Sequence, residues 1–178
     1  MKKLKTEDYK ALQSWWSALQ GNRGDRAQLR RAQAPDDVLL TPAFARFLQT
    51  MPSYWSDNKP WMPLTDSAMV AAVLARVKYK SENDRISFAR ALAMPKEGAG
   101  KAVMSELRFQ QLQKSHTEED FFRRICRAIA LLDGRVNITS LANDILHWLD
   151  ESRQGPANKP MDRLAVRWAS DYYAAFKE

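Results

Sequence analysis

What most constrains this chain is a feature it lacks: runs of alternating β-branched residues. Valine, isoleucine and threonine supply 18 of its 178 positions, whereas alanine and leucine supply 42. Strands favour β-branched and aromatic side chains that fit a pleated, half-buried surface, while Ala and Leu favour helix. Apolar residues recur here three and four apart, the period of a helix with one buried face. The fold class is therefore all-α, a compact bundle of about eight or nine helices. It forms either one domain over 1–178 or two packed sub-bundles. Hydrophobic residues make up 45% of the chain, enough to build a real core.

The helices can be placed in order. Thr6 to Gln20 carries Tyr9, Leu12, Trp16 and Leu19 on one face, and Gly21 suits its stop. Asp25, with Gln28 three residues on, reads as the N-cap and capping box of a second helix ending before Pro35. Thr41-Pro42 opens a third, cap then N1 proline. Pro52, Trp55, Pro60, Trp61 and Pro63 mark a loop. Further helices are expected over about Thr65–Lys80, Ile86–Ala93, Ala102–Lys114, Thr117–Asp133, from Asn137 or Thr139 to Glu151, and over Met161–Phe176. Pro95 to Gly100 is the clearest punctuation, so a sub-bundle boundary falls near 95–101.

Charge narrows the function. Lys and Arg number 28 against 21 acids, a net +7, which favours an anionic partner, nucleic acid before a membrane surface. No stretch approaches the ~20 apolar residues of a membrane helix. No apolar signal core follows the basic Met1-Lys2-Lys3-Leu4-Lys5 start, and the expected compartment is the cytoplasm. Cys126 is the only cysteine, so an internal disulfide is excluded. His116 and His147 stand far apart, and there is no metal-ligand spacing and no phosphate-cradling glycine loop. No metal, cofactor, small-molecule substrate or catalytic activity is expected. Cys126 reads as a buried, inert thiol. Trp16, Trp148, Trp168 and Tyr172 read as core, whereas Trp55 and Trp61 are freer to anchor the loop, meet a subunit or stack on bases.

The segment from Glu118 to Asp133 carries the sharpest signal. At 100° per residue, Phe121, Phe122, Ile125, Ile129 and Leu132 cover an arc of about 100°, and Arg123, Arg124 and Arg127 lie opposite. Each guanidinium is permanently charged and can grip a phosphate with two donors. The competing reading is a solvated face whose arginines pair with Glu119 or Asp120. Near the N-terminus, Arg23, Arg26, Arg30 and Arg31 cluster. Adjacent Arg30 and Arg31 cannot point the same way, so one is expected to pack toward Asp36 or Asp37.

Several blocks occur in a familiar order: Trp15-Trp16-Ser17-Ala18-Leu19, Arg23 to Arg31, Ser87 to Leu92, Ser105 to Leu112, Phe122-Arg123-Arg124 to Leu132, and Trp168 to Tyr173. The ordered set resembles the CasB family, the small subunit of the type I-E CRISPR Cascade surveillance complex. The stretch from Pro52 to Pro63 has no counterpart in that pattern. The resemblance implies a helical subunit that dimerises beside the guide-RNA-bearing backbone subunits. It would help bind target DNA and hold the displaced strand of the R-loop in antiviral defence, without cutting. Carried over block by block, the nucleic-acid-binding candidates are Arg30, Arg31, Arg90, Arg108, Arg123, Arg124 and Arg127. Lys101, Arg23 and Arg26 are weaker additions. Two other readings stand beside this one. A structural adaptor would touch partner subunits or guide RNA only. A helix-turn-helix regulator would concentrate its arginines on one recognition helix, which this chain does not do.

Overall fold

Every residue from Asp66 to Leu74 is buried, so the helix that contains them, α4 (Leu64–Leu74), runs through the middle of the protein. A helix apolar all round has no face to give to water. The computed structural model describes residues 4–177, so Met1, Lys2 and Lys3 of the basic start lie outside the described residues. Around α4 stand α2 (Arg23–Arg30), α3 (Pro42–Thr50), α7 (Glu118–Leu131) and α8 (Ile138–Gln154), and α1 (Thr6–Gln20) packs on α2, α3 and α8. Two short helices, α5 (Phe88–Ala93) and α6 (Glu106–Gln113), pack with α9 (Leu164–Ala174) and α7 respectively. One buried cluster extends from Leu12 to Tyr172, and the expected all-α class is what the chain forms. Among the described residues, no helix is long and apolar enough to cross a membrane.

Stacked rings knit the cluster: Phe121 on Trp148 at 4.1 Å, and Phe109 on Tyr172 at 4.0 Å. Trp16 donates its indole N–H to the Val77 carbonyl, 3.1 Å away. The Pro/Trp loop is pinned by Asp8, a buried residue in the first turn of α1. Asp8 accepts from the Lys5 backbone N–H, from the Trp55 indole at 2.8 Å and from the Tyr54 hydroxyl. Trp55 is therefore fully buried, while Trp61 stays half exposed against Tyr54.

Several boundaries differ from expectation, each for a physical reason. Helix α2 is capped by Asn22, whose side chain accepts from Asp25 N–H at 3.0 Å. Asp25 is instead buried in a two-point ion pair with Arg46, and Gln28 accepts from the Ala43 N–H. Helix α4 stops at Leu74 rather than Lys80. Lys78 and Tyr79 both donate to the Gly134 carbonyl, drawing the chain into β1 (Tyr79–Lys80), parallel to β2 (Arg135–Val136). Asp133 and Gly134 make the turn before β2 with φ of 54° and 76°. Helix α6 begins at Glu106, because the Val103 and Met104 N–H groups donate to the Met94 and Leu92 carbonyls and hold that stretch out of the helix. Helix α9 begins at Leu164, after a tight turn over Pro160–Asp162.

Candidate nucleic-acid interface

The site is built from α7 outward. Thr117 caps the helix by accepting from Asp120 N–H at 3.0 Å, and Glu118, Glu119 and Asp120 place negative charge in its first turn. Acids there complement the helix dipole. Phe121, Phe122, Ile125, Ala128 and Ile129 are buried, which leaves the arginines on the remaining arc. Arg123 is exposed and bonded to Asp120 at 2.6 Å. Arg124 leans onto α6, donating to the Gln111 carbonyl at 2.6 Å and to the Ser115 hydroxyl at 3.3 Å. Arg127 is exposed.

Helix α6 supplies the opposite wall. Ser105 caps it through Arg108 N–H, and the Arg108 side chain is exposed. Arg108, Arg124 and Arg127 together rim a groove of about 390 Å³ between α6 and α7, walled by Met104, Leu112, Ala130 and Leu131. An apolar floor under a rim of guanidinium groups suits an amphipathic anion: phosphate on the rim, ribose or base edge below.

The other flank of α7 is also cationic. Arg76, just past the end of α4, lies over the Phe122 ring at 5.0 Å and donates to the carbonyls of Ala72, Arg30 and Ala32. Arg30 donates to the Ala75 carbonyl at 2.6 Å. Its pKa is lowered by burial and then by Arg26 and Arg76, so three cations crowd one corner. Burial pushes the Cys126 thiol up to about 11, against the pull of Arg76, so it stays protonated at neutral pH. Round α7 at 100° per residue, Phe122 and Cys126 face Arg76, Arg123 and Arg127 form the crest, and Arg124 faces α6. Cationic side chains thus lie on both flanks of α7, Arg76 on one and Arg108 on the other.

The remaining candidates are placed as follows. Arg31 is exposed at the end of α2. Its neighbour Arg30 does turn inward, but onto the Ala75 carbonyl, whereas Asp37 accepts from Gln33 and Ala34 N–H. Arg90 is half-buried on α5, and Lys101 is exposed in the 95–101 segment; neither lines the groove. Arg23 is exposed and Arg26 half-buried on α2. Sequence reasoning missed Arg76. Its signal was a lone arginine closing an otherwise apolar run from Ala68 to Val77. Among the described residues, no group of three or more His, Cys, Asp or Glu is placed to hold a metal. His147 is buried with its Nε2 2.9 Å from Glu151, and burial holds its pKa down.

The sequence profile of the CRISPR-associated protein Cse2 family matches residues 25–173. The chain belongs to the CRISPR-associated Cse2 family. The matched span takes in the whole groove and the Arg30–Arg76 corner. Two solved structures share the Cse2-type fold. One is a chain from E. coli Cascade bound to a PAM-containing double-stranded DNA target, with a TM-score of 0.64 and 21% identity over 92% of this chain and 97% of that one. The other is CasB from Thermus thermophilus, with a TM-score of 0.60 and 22% identity over 96% and 100%. No protein of curated function matches this sequence. The resemblance to CasB read from ordered sequence blocks is borne out by the family match and by both folds.

Proposed function

We propose that this protein is a non-catalytic small subunit of an RNA-guided CRISPR surveillance complex. On this reading it binds target DNA without reading its sequence and holds the displaced strand of the R-loop. The observation that carries the reading is the convergence of Arg108, Arg124 and Arg127, from two helices, on one groove. The relative in E. coli Cascade, solved with a DNA target, supports the same assignment. Its partners are the other subunits of such a complex, guide RNA, target DNA and a second copy of itself, and its compartment is the cytoplasm.

The physical mechanism is phosphate neutralisation with counterion release. Guide pairing supplies sequence specificity, and the exchange of DNA duplex for heteroduplex is nearly balanced, so a few phosphate contacts tip it. The groove arginines fit this role because Arg108 and Arg127 are exposed and Arg124 is held in place by α6.

Fluorescence anisotropy on labelled single-stranded DNA tests it, comparing the wild type with an Arg108→Gln, Arg127→Gln double variant. Both positions are exposed, so the fold is retained. Each lost phosphate contact should flatten the log–log salt dependence by roughly 0.7 for single-stranded DNA. Unchanged affinity and slope would remove the groove from the binding surface. One observation favours the adaptor reading instead: Arg123 and Arg124 already bond within the protein, to Asp120 and to the Gln111 carbonyl. Loss of partner subunits on copurification of the double variant, with DNA affinity intact, would select that reading.

A further inference from the structure

We infer that a second nucleic-acid contact lies at the foot of α7, on the ledge made by β1 and β2, where Tyr79 and Arg135 form a stacking platform for a single-stranded base. The inference rests on the proposed nucleic-acid role. It adds a different kind of contact to that role, one that prefers unpaired strands.

Three observations carry it. Tyr79 is an exposed aromatic, with 54% of its surface open to solvent, on a protein whose other aromatic rings are mostly core. The Arg135 guanidinium lies over one face of its ring, 5.0 Å from the centroid, so the two planar groups form a stack that a base can extend. The surrounding charge is predominantly positive. Lys78 and Lys80 flank Tyr79, and Lys10 shares a cleft with Lys80. Arg85 is exposed in the adjoining loop, which the Asn137 side chain ties to β2 through the Asp84 and Ile86 carbonyls. Glu82, nearly fully exposed and 3.8 Å from Arg135, and Asp84 are the acids of the same loop.

The ledge is also held firmly. The Gly134 carbonyl accepts from Lys78 N–H at 2.8 Å and from Tyr79 N–H at 3.1 Å, and Ser81 N–H reaches the Val136 carbonyl at 3.0 Å. The aliphatic stem of Lys78 packs so closely on Gly134 that a Cβ there would lie 2.8 Å from it. Tyr79 is therefore fixed at its backbone while its ring faces solvent. Single-strand binders combine such an aromatic face with cations that track the backbone, and stacking tolerates every base. The chain runs from Arg127 down the last turn of α7 and through Gly134 to Arg135, so a strand leaving the groove has a short way to reach the ledge.

The test uses the full-length protein and two probes, a 20-nucleotide single strand with a central 2-aminopurine and the corresponding duplex. The variants are Tyr79→Ala, Tyr79→Phe and, separately, the Arg108→Gln, Arg127→Gln pair. Wild type should quench 2-aminopurine fluorescence in the single strand. Tyr79→Ala should abolish the quenching and weaken single-strand binding by roughly tenfold, leaving duplex binding unchanged, and Tyr79→Phe should behave as wild type. If Tyr79→Ala quenches and binds as wild type while the arginine pair loses affinity, the ledge is refuted and the nucleic-acid reading stands. If the arginine pair binds normally and Tyr79→Ala does not, the ledge stands and the groove falls. If Tyr79→Ala costs only copurification with partner subunits, the ledge is a protein contact and the inference is overturned.

Discussion

Single residues decide the fold of this protein where charge is buried. Asp66 is fully buried and meets the Arg153 guanidinium through both carboxylate oxygens, at 3.0 and 2.5 Å. Arg153 also reaches Glu118 at 2.9 Å, so one side chain joins α4, α7 and α8. Arg153 is a third exposed, which moderates the loss. Replacing it by leucine should still cost about 2–3 kcal/mol, because it removes two charge-assisted hydrogen bonds from a fully buried carboxylate. Urea denaturation checks this, and an unchanged midpoint would show that Asp66 has adequate partners without it. The same scale explains what sequence reasoning missed. Asp8, Asp66 and Asp144 sit in the sequence as ordinary helix acids. Each is buried because of a partner at least 20 residues away, Trp55, Arg153 and Arg167 respectively, and no local pattern reveals such a partner.

At the scale of elements, legibility followed locality. Helix α1 runs from Thr6 to Gln20 as its apolar spacing and Gly21 indicate, and Thr41-Pro42 and Thr117 start their helices as local caps do. The β1–β2 pair was not legible, because two-residue strands owe their existence to distant carbonyls, those of Gly134 and Val136. On α7 the wheel located the exposed arginines. Their division between Asp120, α6 and the groove rim depended on α6, a neighbour the wheel does not contain.

The packing of α8 on α9 carries a pH dependence of its own. Burial pushes Asp144 up from 3.8 to about 7, against the Trp168 indole and the Arg167 guanidinium, which favour the carboxylate. Its folded pKa thus lies above its unfolded one. The folded state gains stability from this group below about 4 and loses it as pH rises through 7. His147, one turn on, is shifted down by burial and by Arg167, with Glu151 opposing, and acts in the opposite sense as pH falls below 6.5. The stability difference between wild type and Asp144→Asn isolates the carboxyl group. It should grow in favour of wild type as pH falls from roughly 8 to 5. A difference that stays level across that range would contradict the account.

For the whole molecule, the buried core passes across the 95–101 segment: α5 packs on α9, and α4 on α7 and α8. Arginines from both halves of the sequence consequently flank α7, with Arg76 over Phe122 and bonded to the Arg30 carbonyl on one side and Arg108 on the groove side. The family membership was legible because the resemblance runs as ordered blocks along most of the chain, and the family profile matches residues 25–173 although the two solved structures share only 21–22% identity. The geometry of the surface was not, since it is assembled by packing. The central claim is that this surface grips displaced DNA by its phosphates. The most direct measurement is the lifetime of the R-loop formed by the assembled complex, with wild-type protein or the Arg108→Gln, Arg127→Gln variant, across a salt series. The account predicts full assembly, a shorter lifetime and a shallower salt dependence for the variant. Equal lifetimes at every salt concentration, with both complexes fully assembled, would contradict it.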